Sequence, residues 1–325
     1  MPGHFIISLD FELHWGGSEK WPLEPMKPYF MRTRKMIPDL LTLFKKYQTH
    51  VTWATVGLLF HESRQELEQY RPDRPTYKLP IAAYDYIQND GIGADEEEDP
   101  FHYAPSLIRK ILDTPYQELA THSYSHYYCN EEGQTPEQFR ADLQAAQKIA
   151  RDKFGVTLKS LVFPRNQFNE QYLMVCREEG ITSVRSNPKD WFWHIDSTQD
   201  ESRYKRLVRG ADAFLPIGKK SSFPDPKPTD PLLIPASRLL RPWTEKEARL
   251  GRLKLKRIFS EMEEAAKSGE HYHLWWHPHN FGNHPEKNLA DLELILQHYQ
   301  KLSERHNFQS ISMAGFTEKL LHEAN

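Results

Sequence analysis

Short β-rich runs alternate along this chain with longer stretches of helical periodicity, and that alternation restricts the fold more than any other feature. Phe5-Ile6-Ile7-Ser8-Leu9 reads as a buried strand. Within about 31–47, Met36, Ile37, Leu40, Leu41 and Phe44 fall on one side of a helix, which Pro38 is expected to open from its first turn. Val51–Gly57 is β-rich again, and β-α-β order favours a parallel sheet with right-handed crossovers. Further strands are expected at Gln117–Thr121, Leu158–Phe163, Ile181–Val184, His271–Trp276 and Phe308–Ser312. Helices are expected near Ser106–Leu112, Thr135–Lys153, Glu170–Glu179, Trp243–Ser268 and Leu289–His306. Six or seven βα units in 325 residues, without repeat or linker, predict one α/β domain over 1–325, a distorted (β/α) barrel of about seven strands. Two stretches break the rhythm and read as insertions, at about 64–105 and 197–242. The first carries prolines, a possible helix near Ile81–Ile87 and the acid run Asp95–Asp99, which suits a solvated surface better than a metal site.

Composition narrows the function classes. A net charge of −3 with no general basic signature disfavours nucleic acid as a partner. The two cysteines, Cys129 and Cys176, stand in no CxxC arrangement and cannot build a thiolate metal cage. No stretch approaches 18 apolar residues and the start lacks a basic region, so neither membrane span nor signal peptide is expected and a cytoplasmic setting is. Aromatic residues make up 12% of the chain, enough to line a sugar cleft or to fill a core. Oligomeric state is not readable.

Three places carry chemistry. The first strand ends in Asp10-Phe11-Glu12, and alternation puts both carboxylates on one face at a strand's C-terminal end, where α/β proteins place their sites. His122-Ser123-Tyr124-Ser125-His126 follows an expected strand. On a helical turn the Cβ atoms of its two histidines would lie roughly 5–6 Å apart, a spacing that suits two ligands of one ion. With 16 histidines in the chain such a pair can also be structural, so a third ligand and a base are needed. Near the other end, His277-Pro278-His279 leaves the strand His271–Trp276, where Trp275 and His277 would share a face. His14-Trp15-Gly16-Gly17 reads as an exposed loop, with Trp15 a candidate substrate contact.

Taken together, Asp10, His122-Ser123-Tyr124-Ser125-His126 and Leu274-Trp275-Trp276-His277 resemble the polysaccharide deacetylases, the NodB-like carbohydrate esterases, over roughly 5–195 and 270–320. The resemblance implies a NodB-type barrel and a divalent metal held by His122, His126 and one carboxylate. Glu12 would be that carboxylate and Asp10 the base, or the reverse. His277 would be the general acid. Asp190-Trp191 resembles the acid–tryptophan pair that lines the acyl pocket, and Leu274 and Trp276 join Trp191 as candidate substrate contacts. Phe163-Pro164-Arg165 resembles the arginine motif with its proline displaced, which makes Arg165 a candidate catalytic residue. The implied activity is removal of an N-acetyl group from an amino sugar of a cytosolic glycan or surface-polysaccharide intermediate. Zinc suits the donor set first, with cobalt, iron or nickel also suited. Two other readings are a carbohydrate-binding relative without turnover and an amidase acting on a non-sugar C–N bond.

Overall fold

The computed structural model describes residues 2–194, 202–218 and 220–323, so the start of the second expected insertion lies outside the described residues. Among these residues nine strands join one parallel sheet: β1 (His4–Phe11), β2 (Val51–Thr55), β3 (Gln117–Thr121), β4 (Ser160–Leu161), β5 (Ser183–Ser186), β6 (Leu232–Pro235), β7 (Arg238–Leu239), β8 (Tyr272–Trp276) and β9 (Gln309–Ser310). Their order is β6-β5-β4-β3-β2-β1-β8-β7, with β9 paired to the start of β1. β6 and β7 stand at opposite ends of this order, yet only Ala236 and Ser237 separate them. One stretch of chain thus pairs first with β5 and then with β8, curling the sheet into the expected distorted barrel.

The helices are α1 (Leu23–Lys46), α2 (Arg64–Tyr70), α3 (Ala83–Asn89), α4 (Pro105–Leu112), α5 (Pro136–Phe154), α6 (Glu170–Glu178), α7 (Arg203–Asp212), α8 (Gly251–Ser268), α9 (Pro285–His306) and α10 (Met313–Glu323). α1 starts well before Pro38 and runs through Pro28 and Pro38. Its buried stripe of Phe30, Ile37, Leu40, Leu41 and Phe44 offsets the hydrogen bonds that the prolines remove. The stretch 64–105 contains α2, α3 and the first residue of α4, and the second insertion contains α7, β6 and β7. Both are built into the fold, where the sequence pattern suggested excursions from it.

β1 explains how the interior is layered. Phe5, Ile7, Leu9 and Phe11 point outward into the large core shared with α1, α4, α8 and α9. The alternate residues point inward. Ile6 packs with Ala54, Val162, Ile234, and Met313 and Phe316 of α10, which plugs one end of the barrel. Ser8, Asp10 and Glu12 then rise toward the C-terminal ends of the strands, all buried. An apolar plug thus gives way, along one strand face, to a polar and then charged column.

Candidate active site

Ser8 and Asp10 form the middle of that column with Arg185 of β5. The guanidinium is fully buried and has five N–H groups to place. Nη1 and Nη2 give Asp10 Oδ1 and Oδ2 bonds of 2.6 and 2.8 Å, a bidentate pair. Nη1 also donates to Ser8 Oγ at 3.1 Å, while Nε and Nη2 donate to Asn166 Oδ1 at 3.2 and 2.8 Å. Every donor is therefore used. The Trp275 ring lies 4.2 Å from the guanidinium carbon. Burial works to raise the Asp10 carboxyl, but Arg185, then His277 and His122, hold it below its ordinary value. Ser8 Oγ in turn meets His273 Nε2 at 2.8 Å, and His273 Nδ1 faces Pro235 O at 3.2 Å. Burial pushes His273 down to about 3, so it is neutral at pH 7, with Nδ1 protonated and Nε2 accepting from Ser8.

One step further along the strand, Glu12 meets the histidine pair. Its Oε2 lies 3.2 Å from His122 Nε2 and 3.0 Å from His126 Nε2, and the three residues form a buried group with the donor set of a metal site. The outer ring nitrogens are already committed. His122 Nδ1 lies 2.8 Å from Val162 O, a carbonyl that can only accept. His126 Nδ1 lies 3.0 Å from Tyr128 Oη, whose own O–H donates to Glu19 Oε1 at 3.1 Å. Each Nδ1 is then the protonated nitrogen and each Nε2 a lone pair aimed at the carboxylate. Burial lowers His126 and favours its neutral form. Glu12 Oε2 has no hydrogen-bond partner among the described residues, so two lone pairs and a carboxylate converge on one buried point. A divalent cation there would turn this repulsion into coordination, with Val162 and Tyr128 fixing the rings from outside. The residues fit such an ion.

The loop that carries the pair is not the helical turn expected. Ser123 and His126 have φ of 61° and 57°, left-handed values that interrupt any helix. Asp142 of α5 holds the strained loop: its carboxylate accepts from the Tyr124 and Ser125 amides at 2.6 and 3.0 Å and from the Ser125 hydroxyl. Burial raises Asp142 to about 6 against these bonds.

His277 closes the cluster toward solvent. Its Nε2 lies 3.6 Å from Asp10 Oδ2 and 3.5 Å from Glu12 Oε1, and its side chain is 27% exposed. His279, behind it, is buried, with Nε2 3.9 Å from Glu12 Oε1. Burial pushes His279 down to about 3. Burial works to raise Glu12 as well, but opposing interactions led by His277 hold it well below the carboxylate range. A cleft of about 510 Å³ reaches Asp10, Trp275 and His277, with Trp193 facing Trp275 on its wall.

Asp10, Glu12, His122, His126 and His277 are thus brought together as the sequence suggested, and Glu12 rather than Asp10 stands against the histidines. Other candidates fall elsewhere. Arg165 lines the cleft but pairs with Glu19 and Glu131 at 2.8 and 3.0 Å, and its neighbour Asn166 meets the Asp10–Arg185 pair instead. Leu274 and Trp276 point into the outer core, because β8 alternates and its inward residues are His273 and Trp275. Trp15 is buried, not exposed, in a short 3-10 turn where its Nε1 donates to His102 O at 2.9 Å. Asp190 stands beside Gly218, and Trp191, half exposed, stacks on Tyr204. Sequence reasoning missed Arg185, which lies just past the expected strand Ile181–Val184, in a short strand of sequence Ser-Val-Arg-Ser that gives no sign of a buried charge.

A curled parallel barrel with carboxylates and histidines at the C-terminal ends of its strands defines the class: a (β/α)-barrel protein with a candidate mononuclear metal site. Residues 29–184 match the family model described as Polysaccharide deacetylase, a span that contains His122 and His126 but not Asp10, Glu12 or His277. Over that span, just under half of the chain, the sequence matches the polysaccharide deacetylase family. Its fold is similar to that of a protein from Mycobacterium smegmatis described as a polysaccharide deacetylase, at 12% identity and a TM-score of 0.57, over 100% of this chain and 92% of that one. A second protein so described, from Pseudomonas aeruginosa PAO1, matches at 13% identity and a TM-score of 0.56, over 98% and 90%. An allantoinase matches at 11% identity and a TM-score of 0.54, over 97% and 88%. Comparison with curated proteins gives no match. Among the described residues no helix is long and apolar enough to cross a membrane.

Proposed function

We propose that this chain is a metal-dependent hydrolase that removes an N-acetyl group from an amino sugar, with Glu12, His122 and His126 holding the ion. The observation that carries the reading is the convergence of two histidine lone pairs and a buried, unpartnered carboxylate oxygen beside the cleft. Three protein donors leave coordination positions open, as catalytic sites do. When bound, a divalent ion would supply Lewis-acid activation of water and of the amide carbonyl. Asp10 is the general base: Arg185 keeps it ionised, and its Oδ2 faces His277 across the place where water enters from the cleft. His277 is the general acid, sited to protonate the departing amine as the C–N bond breaks. Water and amide become acetate and a free amine, and Trp193 and Trp275 offer the sugar an aromatic wall. Zinc suits the donor set first. The substrate we favour is a glycan or surface-polysaccharide intermediate rather than a non-sugar amide.

Elemental analysis of the purified protein beside acetate release from N-acetyl sugars tests this. His122→Ala and His126→Ala should each lose bound metal while circular dichroism is retained. Full metal retention in both variants, or a metal-loaded protein that releases no acetate from any N-acetyl sugar, would overturn the reading.

A further inference from the structure

We infer that Gln167 determines specificity in the cleft by clasping two neighbouring hydroxyls of the sugar ring, so that the residue processed there carries a free vicinal diol; this rests on the deacetylase reading above. Two polar side chains of the cleft wall each hold an atom that nothing satisfies. Gln167 is 2% exposed and Trp275 4%, and both line the cleft with Asp10 and His277. Gln167 Oε1 and Trp275 Nε1 are buried and have no hydrogen-bond partner among the described residues. Buried carbonyls and indole N–H groups ordinarily find one, and leaving them bare is unfavourable until a ligand supplies it.

The local backbone explains the placement of Gln167. After β4, Arg165 and Asn166 both take left-handed φ values, 57° and 52°. That turn sends Arg165 to Glu19 and Glu131 and Asn166 to Arg185, the partner of Asp10, and Gln167 follows into the cleft wall. Trp275 lies on the same guanidinium, with its ring 5.9 Å from those of Trp193 and His277. The two bare atoms have opposite needs. An indole N–H can only donate, and Gln167 Oε1 can only accept. An anion would serve the first alone and a cation the second alone, whereas hydroxyl groups both donate and accept. The carboxamide also sets an N–H beside its carbonyl in one plane. Two hydroxyls on adjacent ring carbons match that pair, one donating to Oε1 and the other accepting from Nε2. In a 2-acetamido pyranose the adjacent pair is the 3- and 4-hydroxyls. A single sugar or a chain end keeps both, and a residue linked or capped through either oxygen does not fit.

Ligand-observed NMR titration of the full chain as purified tests this with three probes: N-acetylglucosamine, its 3-O-methyl ether and its 4-O-methyl ether. Each ether should bind about tenfold more weakly than the parent sugar. Gln167→Leu should lose about the same factor for the parent sugar and discriminate no further between it and the ethers. The variant removes an acceptor that nothing satisfies, so its thermal midpoint should match or exceed that of the unaltered protein. Equal binding of the three sugars, no binding of the parent sugar, discrimination that survives Gln167→Leu, or a clearly lower midpoint would overturn the clasp. Acetate release is followed in parallel. A Gln167-dependent preference without acetate would keep the clasp and overturn the deacetylase reading, and acetate release from all three sugars at equal kcat/KM would do the reverse.

Discussion

Replacing Arg185 by Leu is the most informative single perturbation of the site. It leaves the Asp10 carboxylate inside the barrel without the two charge-assisted bonds of 2.6 and 2.8 Å that now hold it, and it strips Ser8 and Asn166 of the same donor. Breaking a buried pair by removing one partner costs about 3–5 kcal/mol, and the lost stack on Trp275 adds up to about 1–2 kcal/mol. The pH dependence gives the prediction its sign. In the native protein Asp10 is held below its ordinary value, so its stabilisation is present above an unfolded value of about 3.9 and is lost only as pH falls through the lower folded one. Without Arg185, burial dominates and the carboxyl rises above its unfolded value. The penalty is then full at high pH and shrinks as pH falls through the raised value toward about 3.9. Urea unfolding at pH 7 and pH 5 should therefore give Arg185→Leu a larger deficit at pH 7, with part of it restored in Asp10→Asn/Arg185→Leu, which buries no charge. A deficit below about 1 kcal/mol, or one equal at both pH values, would refute the claim that Arg185 sustains a buried carboxylate.

Three further outcomes are expected. Tyr128→Phe keeps the ring under Arg165 but removes the acceptor for His126 Nδ1, and should weaken metal binding about 10–100-fold in a chelator competition; unchanged affinity would refute the relay. His277→Ala should lower kcat by about 10²–10⁴-fold and remove the alkaline limb of the rate profile, with metal content intact, while His279→Ala does far less; comparable damage from both would refute the acid assignment. His4, His14 and His273 are buried and held down to about 3 to 4 by burial, so their stabilisation is present above about 6.5 and lost as pH falls below it. Between pH 6.5 and 5.5 the three should together cost about 3 kcal/mol, measurable as a falling urea midpoint, and a flat midpoint across that interval would contradict their burial as neutral rings.

What the sequence disclosed follows from the strand period. Residues two apart on one strand share a face whatever the tertiary fold, so the order of residues alone pairs Asp10 with Glu12. The same rule, applied to β8, aligns Trp275 with His277 and sends Leu274 and Trp276 to the outer core, where the structure places them. The motif resemblance pointed those two the other way, and local geometry was the better guide. Partners that meet across the barrel left no such trace. Arg185 lies 175 residues from Asp10, and in a short strand it has no periodicity to betray its orientation. Arg165 stands out in the sequence because it follows an aromatic–proline pair, but its left-handed φ of 57° turns it to Glu19 and leaves Asn166 to meet Arg185. The loop strain at Ser123 and His126 was equally hidden, because Asp142, which anchors it, lies on the next helix. The inward face of β1 gives each carboxylate its role in the proposed reaction. Ser8, Asp10 and Glu12 climb toward the strand's end in that order, Arg185 reaches the first two, and the histidine loop reaches the third. Glu12 is therefore the proposed ligand carboxylate because of its height in the barrel, and Asp10 is left, ionised by its arginine, to serve as the base.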